Sequence, residues 1–382
     1  MLPLNVPPLS IYLHIPWCIS KCPYCDFNSH KITDSVEERA YITALLADLE
    51  HDLPLVAGRE IGSIFIGGGT PSLFSAEAIG LLLKGIRSRM SCEDGMEVTL
   101  EANPGTLESG RYAGYRDAGV NRLSIGVQSF SADALARLGR IHGPDEAVKA
   151  VVSAKSAGFD NFNIDLMFGL PGATPEQALK DVEHAISLEP THISYYQLTL
   201  ELNTLFHHHP PPLPPEDDLW QVQCQGHGTL AAAGYGQYEV SAFALPGKRC
   251  KHNLNYWQFG DYIGIGAGAH GKLTRPPGQV ERRWRLQSPQ DYLTHAENPS
   301  VVAGSRILNK QDLMLEFLMN ALRLTDGFPT TLFSDRTGLS EKELQKLLKN
   351  AFDQALIEPI EGHVCPTPLG GRFLDDLLTS LA

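Results

Sequence analysis

Residues 10–25 read SIYLHIPWCISKCPYC and join a predicted β-strand directly to three closely spaced cysteines, Cys18, Cys22 and Cys25. The other four of the seven cysteines are scattered through the remaining chain. An odd number of cysteines with one tight cluster does not resemble the disulfide framework of a small secreted domain. We therefore expect the cluster to bind a metal or to act in catalysis, in a reducing compartment.

Outward from this stretch, residues 1–200 alternate between apolar or β-branched runs and segments with helical spacing. The predicted strands cover residues 10–15, 63–66, 97–101, 122–127, 162–167 and 192–198. Six successive strand–helix units favour a parallel sheet. The predicted fold class is α/β, with the sheet open or curved into a partial (β/α)6 barrel. In such folds, functional groups gather at the carboxyl ends of the strands.

The predicted organisation has three parts, of which residues 1–206 are the barrel. The stretch HHHPPPLPP at 207–215 begins a connector and extension that reaches residue 300; we expect this stretch to be extended, because prolines exclude regular helix. Residues 301–382 form a small C-terminal α+β module of winged-helix-like character. Its predicted elements are helices at 312–322, 340–354 and 368–381 and a hairpin from 357–360 and 363–365.

Composition and charge exclude several classes of protein. The chain has 382 residues, 43% of them hydrophobic, which is ample for a large core. Its net charge of −13 would repel a polyanion, so we expect no nucleic acid as the main partner. The sequence has no apolar run long enough to span a bilayer, and its start lacks the pattern of a secretory signal. These features predict a cytoplasmic protein.

The chemistry of the cysteine cluster favours an iron–sulfur centre. The spacing lets one loop wrap three thiolates around a single centre. A structural zinc ion needs four protein ligands, and His14 or His30 could supply the fourth. A four-iron cluster held by three thiolates instead leaves one iron open for a small ligand, and open metal positions are where chemistry occurs. The sequence therefore favours a [4Fe-4S] cluster, with zinc as the alternative.

Glycine and polar residues follow the later predicted strands. The motif GGGTP at 67–71 lacks the Lys-Ser/Thr pair of a phosphate-binding loop, but its glycines permit a ligand to approach the backbone closely. Four polar residues near strand ends are Glu101, Gln128, Arg140 and Asp165. A packed barrel does not need so many, which indicates a ligand site at this end of the sheet.

Together these motifs resemble the radical S-adenosylmethionine (SAM) superfamily, whose signature is C-x3-C-x2-C after the first strand of a partial barrel. The resemblance implies that the open iron of a cluster on Cys18, Cys22 and Cys25 chelates SAM, and that the reduced cluster can cleave SAM to a 5′-deoxyadenosyl radical. It further implies a set of SAM contacts: Tyr12, Tyr24, Gly68, Gly69, Thr70, Glu101, Gln128, Arg140 and Asp165. Whether this protein cleaves SAM is left open.

Within the superfamily, residues 8–275 are similar to the oxygen-independent coproporphyrinogen III oxidases and to their relatives, the haem chaperones. The oxidases carry a fourth cysteine two residues after the third, where this chain has Phe27. They also carry an N-terminal extension, for which the residues before Cys18 leave no room. Both departures argue against decarboxylation of coproporphyrinogen.

A second motif points towards the chaperones. Residues 250–257, CKHNLNYW, resemble their HNxxYW motif, which implies that His252 ligates haem iron while Tyr256 and Trp257 cover the porphyrin face. Cys250 is an alternative thiolate ligand. Alternatively, His252 and Trp257 simply pack and form hydrogen bonds beneath the barrel.

The stretch GAGAHG at 266–271 formally fits the dinucleotide-binding pattern G-x-G-x-x-G. A dinucleotide fold would need a helix next, but KLTRPPG follows and cannot form one. We therefore reject this interpretation and expect the glycines to permit a close approach of two chain segments. His270 is a weaker candidate for a second metal ligand.

Three functions are consistent with these patterns. The first is a haem chaperone that carries a SAM-chelating [4Fe-4S] cluster and hands haem to respiratory proteins. The second is an oxygen-independent coproporphyrinogen III oxidase. The third is a zinc-stabilised regulator that uses the C-terminal module, although that module is more acidic than basic. Peripheral membrane association and homodimerisation are left open by the sequence.

Overall fold

The computed structural model describes residues 5–33, 36–56, 58–105, 109–275, 278–359 and 361–381. Its centre is a run of parallel strands: β1 (Leu9–Ile15), β4 (Ile61–Gly68), β5 (Cys92–Ala102), β6 (Arg122–Gln128), β7 (Phe162–Phe168), β8 (His192–Gln197) and β11 (Asp261–Ile265). Their order is β11-β1-β4-β5-β6-β7-β8. All six predicted strands are present, so the predicted parallel α/β sheet is confirmed. β11 is additional, and it pairs in parallel with the free edge of β1.

Antiparallel strands extend this sheet at both edges. They are β10 (Ala242–Ala244) and β9 (Gly236–Glu239) beside β8, and β12 (His270–Arg275), β13 (Gln279–Arg285) and β14 (Val302–Ile307) beside β11. Residues 266–271 therefore turn between β11 and β12 instead of opening a helix, in agreement with the rejected dinucleotide motif. Gly266 has a φ of +107°, and a Cβ there would collide with the backbone of His14.

Helices cover the outer face of the sheet. They are α1 (Glu38–Asp52), α2 (Ala76–Arg87), α3 (Tyr112–Ala118), α4 (Ala132–Arg137), α5 (Pro144–Ser156) and α6 (Pro175–Ser187), with short 3₁₀ turns at Leu53–Leu55, Pro71–Leu73 and Pro299–Val301. The side chains of Ser75, Ser131 and Thr174 each accept a hydrogen bond from the backbone N–H three residues later, which caps α2, α4 and α6.

Side chains alternate along the strands between this outer face and the barrel interior. On β1, every second residue from Leu9 to Ile15 belongs to the main hydrophobic core. Ser10, Tyr12 and His14 alternate with these residues, face the interior, and form hydrogen bonds there. The interior of the barrel therefore carries polar side chains that take no part in packing the helices against the sheet.

The connector differs from its prediction at one point. The tract 207–215 is not extended throughout, because it starts inside a one-turn helix, α7 (Leu205–His208). This turn forms because the Thr204 hydroxyl accepts a hydrogen bond from the backbone N–H of His207 at 3.1 Å. The proline run begins only after the turn, as its chemistry requires. Next, α8 (Glu216–Ala232) packs against α6.

A second hydrophobic core holds the C-terminal module together, from Leu308 to Leu377. Its elements are α11 (Lys310–Ala321), α12 (Thr330–Thr337), α13 (Glu341–Asp353), α14 (Pro368–Arg372) and α15 (Leu374–Thr379), and α10 (Pro289–His295) precedes them. The predicted strand at 363–365 pairs as β16 (His363–Val364) with β15 (Phe328–Pro329), while Ile357 forms an isolated bridge with Pro366. The division at residues 206 and 300 stays a prediction.

In the part of the chain that the structure describes, no helix has the length and apolar character needed to cross a membrane.

Candidate functional site

A cavity of about 400 Å³ opens at the carboxyl ends of the parallel strands, where the fold predicts function. Most of the predicted cluster and SAM residues line it: Cys18, Cys22, Tyr24, Cys25, Gly68, Gly69, Thr70, Glu101, Gln128, Arg140 and Asp165. We call it the cysteine cavity. Tyr12 is the one predicted member of that set that does not line it.

The cysteine loop is tied to the barrel at both ends. Two short strands, β2 (Trp17–Cys18) and β3 (His30–Lys31), pair in parallel and close the loop. Within it, the Lys21 ammonium donates to two backbone carbonyls of the same loop at 3.2 Å. The Asn28 amide donates to two backbone carbonyls in the region after β11, each at 2.9 Å. These contacts anchor the loop that carries the three thiols.

Tyr12 supports this loop from beneath. Its hydroxyl lies 2.9 Å from Nδ1 of His14, and Nε2 of His14 lies 2.9 Å from the carbonyl oxygen of Asn28. Since a carbonyl only accepts, Nε2 of His14 carries the proton and Nδ1 accepts from the Tyr12 hydroxyl. Burial lowers the pKa of His14, which keeps the ring neutral. Both ring nitrogens are thus in use, and His14 is not available as a fourth zinc ligand.

The three thiols line one cavity and match the three-thiolate ligand set of a four-iron cluster. A structural zinc ion would need a fourth protein ligand beside them. Burial raises the pKa of Cys18 and Cys25, and a bound metal would stabilise their thiolate forms.

Arg140 places a cation beside the thiols. Its Nη1 lies 3.7 Å from Sγ of Cys22, while Nη2 donates to Asn103 Oδ1 at 2.7 Å and to the Gly126 carbonyl at 2.8 Å. Burial opposes its charge, but Tyr24 and Cys22 outweigh that effect and raise the pKa of Arg140. This guanidinium can stabilise thiolate charge. Asn103 escaped the sequence analysis, although it belongs to the same EANP stretch as Glu101.

The glycines of the GGGTP motif bring two chain segments into direct contact. A Cβ on Gly69 would lie 2.5 Å from the carbonyl oxygen of Trp17, and a Cβ on Gly68 would lie 2.6 Å from the ring of His14. Gly68 also has a φ of +110°, which favours glycine. The Thr70 N–H donates to the Trp17 carbonyl at 2.7 Å. The motif therefore forms the cavity wall against the segment that carries the first cysteine.

Two buried carboxyl groups face the cavity. Burial and the nearby Asp165 raise the pKa of Glu101 to about 8, although the Gly68 N–H donates to its Oε2 at 3.1 Å. Burial also raises the pKa of Asp165, which accepts hydrogen bonds from Asn163 and Ser124. Two such groups in one cavity favour a cationic ligand, because a positive charge would stabilise their ionised forms. The sulfonium of SAM is such a cation.

Gln128 ends β6 in a strained backbone conformation. Its φ is +68°, which is uncommon for a residue with a side chain and concentrates at functional sites. The strain aims the amide so that Oε1 accepts a hydrogen bond from the Tyr196 hydroxyl at 2.8 Å. Tyr196 lines the cavity from the end of β8, and the sequence analysis did not identify it. Its only signal was its place at the end of the sixth predicted strand.

A short helix, α9 (Lys251–Trp257), closes the opposite end of the barrel. We call this closure the barrel floor. The carboxylate of Glu97, on β5, accepts hydrogen bonds from the backbone N–H groups of Lys251 and His252, both at 3.2 Å. The Cys250 thiol donates to the same carboxylate at 3.4 Å. A buried anion thus binds the amino end of α9, where free N–H groups point.

The HNxxYW residues belong to this floor and not to the cysteine cavity. His252 is 1% exposed, and its ring lies between those of Phe65 and Tyr256, with centroids 5.1 and 4.7 Å away. Nδ1 of His252 lies 3.1 Å from the Ser63 hydroxyl, while no described residue forms a hydrogen bond with its buried Nε2. Burial, together with the charge of Arg122, lowers the pKa of His252 to about 3, so the imidazole is neutral.

The other metal-ligand candidates of this region are placed as follows. Burial raises the pKa of Cys250 to about 12, so it stays a thiol and does not act as a thiolate ligand in this conformation. The Trp257 ring lies 4.4 Å from the guanidinium of Arg323. His270 stacks on Trp284 and does not line the cysteine cavity.

Comparison with known proteins agrees with this geometry. Residues 12–185 match the model of the radical SAM superfamily, and residues 308–373 match that of the HemN C-terminal domain. The fold is similar to a solved structure of coproporphyrinogen III oxidase (HemN) from Escherichia coli, a radical SAM enzyme. The TM-score is 0.82 over 98% of this chain and 90% of that chain, at 21% identity. At such low identity, this likeness concerns the fold alone.

Similarity to curated proteins extends over the whole chain. The heme chaperone HemW of Escherichia coli is 49% identical over 375 residues, which cover 98% of each chain. HemW of Haemophilus influenzae is 50% identical over 378 residues, again 98% of each chain. HemW of Bacillus subtilis is 34% identical and covers 96% of this chain and all of that one. The chain therefore belongs to the HemW family within the radical SAM superfamily.

Proposed function

We propose that the protein is a haem chaperone, which binds haem and passes it to haem-accepting respiratory proteins while a SAM-chelating [4Fe-4S] cluster occupies the cysteine cavity. The observation that carries this proposal is the identity of 49–50% with curated heme chaperones over 98% of both chains.

The rim of the cysteine cavity supports a chaperone over an oxidase. Phe27 stands where the oxidase pattern has its fourth cysteine, lines the cavity, and is 56% exposed. A phenyl ring cannot ligate iron or exchange protons, so the chemistry of that fourth thiol is absent at this position. An exposed apolar ring at the rim suits contact with an apolar surface instead.

The cofactors of the superfamily fit the residues of the cavity. Cys18, Cys22 and Cys25 would hold three irons, and the buried carboxyl groups of Glu101 and Asp165 would face the positive charge of SAM. A bound and reduced cluster would be able to supply the electron that reductive cleavage of SAM requires. The chain itself would bind and orient these groups: the loop contacts position the segment that carries the thiols, and the GGGTP glycines allow the cavity wall to pack directly against it.

The role of His252 as haem ligand is part of this proposal and carries a structural requirement. Its neutral ring has ligand chemistry, because Nε2 can present a lone pair to iron. In the closed floor, however, Phe65 and Tyr256 pack against the ring and leave no room for a porphyrin. Ligation by His252, with Tyr256 and Trp257 on the porphyrin, would require α9 to leave the barrel.

We place the protein in the cytoplasm, in line with its seven free cysteines. Its acceptors would be respiratory proteins, and delivery to them would involve transient contact with the membrane surface. A homodimer is a further element of the proposal, in which cluster and SAM control association.

The test is a transfer assay. Cluster-reconstituted protein is loaded with haem under anaerobic conditions and mixed with a haem-free b-type cytochrome, and the acceptor's spectrum is followed. We expect faster and more complete reconstitution than from free haem at equal concentration. No advantage over free haem would overturn the proposal. Decarboxylation of coproporphyrinogen III with SAM and a reductant would instead identify an oxidase.

A further inference from the structure

A second cavity, of about 500 Å³, lies between α8 and the C-terminal module. On α8 its wall is formed by Trp220, Gln223, Cys224 and His227. Their spacing of three, four and seven residues puts all four side chains on one face of the helix. The module contributes the facing wall, which includes Arg323 and Arg372. We call it the α8 cavity, and its volume lies within the range of small-molecule sites, roughly 300–1,000 Å³.

His227 is the ligand-bearing group of this cavity. Its ring packs against Phe243 and Tyr195, with centroids 4.9 and 6.3 Å away, so its orientation is fixed. The structure records no hydrogen bond between either ring nitrogen of His227 and another described residue. Burial lowers the pKa of His227 to about 4, which leaves the imidazole neutral with a lone pair. A neutral imidazole that lines a cavity is a ligand for iron.

Two arginines give the cavity a positive wall. The Arg372 guanidinium lies 4.0 Å over the Trp220 ring, and no carboxylate within the described ranges pairs with it. Arg323 forms one ion pair, with Glu239 at 3.1 Å, while its buried Nε finds no hydrogen-bond partner among the described residues. These cations are suited to carboxylate groups of a ligand, which an arginine binds with two parallel hydrogen bonds.

Two partly exposed aromatic rings pack against Arg372, which lines the cavity. Trp220 is 39% exposed, and Phe373, whose ring centroid lies 5.1 Å from the Arg372 guanidinium, is 40% exposed. Large exposed apolar side chains around a cavity mark a site for an apolar ligand. A suitable ligand is therefore large, flat and apolar, carries carboxylates, and contains a metal that accepts imidazole.

We propose that the α8 cavity is the haem seat of the closed conformation, with the iron of the porphyrin on His227 and its carboxylates against Arg372 and Arg323. The inference rests on the proposed chaperone function and deepens it. It gives haem an accessible site while α9 keeps His252 inside the barrel floor. In this closed conformation Trp257 would act through Arg323, which packs on its ring, whereas contact of Trp257 with the porphyrin belongs to the conformation in which α9 has left the barrel.

The experiment titrates hemin and iron-free protoporphyrin IX into the full-length, cluster-reconstituted protein and follows the Soret band. His227→Leu should weaken hemin binding about tenfold or more and shift its spectrum, but should leave protoporphyrin IX binding unchanged, since that ligand has no iron. Arg372→Leu should weaken binding of both porphyrins about tenfold, because it removes a charge-assisted contact. Arg372 is exposed on a surface helix, so this variant tests the site even where His227→Leu impairs folding.

The control variant is His208→Leu, which removes an exposed histidine of α7 that lies outside both the α8 cavity and the barrel floor. It should bind hemin as the wild type does. Unchanged hemin affinity in both His227→Leu and Arg372→Leu would overturn the α8 site while leaving the chaperone proposal intact. So would loss of binding in His252→Leu alone. Failure of the wild type to bind hemin would instead overturn the proposed function itself.

Discussion

The two ends of the barrel carry similar sets of polar residues but use them differently. At the carboxyl end, Glu101, Asp165 and Arg140 line an open cavity, and burial raises the pKa of both carboxyl groups. At the floor, Glu97 and Ser63 form hydrogen bonds with α9. Buried polar groups that are paired with one another stabilise a fold, whereas buried polar groups that line a cavity are placed to bind a ligand.

Metal-ligand residues in a motif therefore do not by themselves show whether the motif binds a ligand or stabilises the fold. The contacts that the fold gives these residues decide between the two. The cysteine motif and the HNxxYW motif both contain metal-ligand residues. Only the cysteines line a space that a metal cluster could enter in this conformation. Substitutions at the open end should therefore change ligand binding, and substitutions at the floor should change stability.

The largest expected effect is at the cysteine cavity. Cys22→Ser removes one of three cluster ligands, so reconstituted protein should retain almost no iron or sulfide and lose its brown colour. Its folding should be unaffected, because Cys22 is only partly buried. Iron and sulfide analysis measures the loss, and Cys92→Ser is the matched control. A variant that kept full iron content would show that the cluster lies elsewhere.

At the floor, Glu97→Ala should destabilise the protein by about 3 kcal/mol, because it removes one of the buried acidic groups that stabilise the nearby charge of Arg122. It also deprives the start of α9 of its acceptor. Chemical denaturation measures the change, and Glu93→Ala, on the exposed start of the same strand, should have little effect. Wild-type stability in Glu97→Ala would show that the contact of Glu97 with α9 at the barrel floor does not stabilise the protein.

His252 should make stability depend on pH. Its pKa is about 3 in the folded protein and about 6.5 in an unfolded chain. Below about pH 6.5 the unfolded chain therefore binds a proton at His252 that the folded chain does not bind. As the pH falls further, the free energy of unfolding decreases by up to about 1.4 kcal/mol per pH unit. His252→Leu removes this contribution. Denaturation midpoints near pH 7 and pH 5 should thus differ less than in the wild type or in His208→Leu, and an unchanged slope would refute burial of His252.

The smallest effect concerns the carboxyl pair. Glu101→Gln should weaken SAM binding about tenfold, because it removes a buried carboxyl group that can ionise beside the positive charge of SAM. Binding of the uncharged thioether S-adenosylhomocysteine should change less. Since the pKa of Glu101 is about 8, wild-type affinity for SAM should rise with pH through that value more steeply than the variant's. Isothermal titration measures both, and Glu201→Gln, an exposed carboxyl on the same cavity, is the control.

Much of the site at the carboxyl ends of the strands was predictable from the sequence, because it depends on residues that are neighbours in the chain. Each strand and the residue at its end are neighbours in the chain, so the parallel fold brings Glu101, Gln128 and Asp165 to one edge without further knowledge. For Tyr12, the family resemblance implied contact with SAM, and an ordinary core aromatic was the alternative. The fold places its hydroxyl against His14, beneath the cysteine loop, and this contact could not be predicted from the sequence.

The floor and the α8 cavity were not predictable, because they depend on distant contacts. Nothing near residue 252 in the sequence indicates that Glu97 will bind the start of α9. β11 joins β1 although 245 residues (16–260) lie between the end of β1 at Ile15 and the start of β11 at Asp261, and a pairing of such separation leaves no local pattern. In the same way, His227 lies on a helix with ordinary composition. Its cavity exists only because the C-terminal module folds back onto that helix.

The most direct test of the account is an anaerobic hemin titration of the cluster-reconstituted wild type, combined with product analysis after incubation with coproporphyrinogen III, SAM and a reductant. The account predicts one saturable class of haem site with a defined Soret band and no decarboxylated porphyrin. Haem that fails to saturate, or conversion of coproporphyrinogen III, would contradict it.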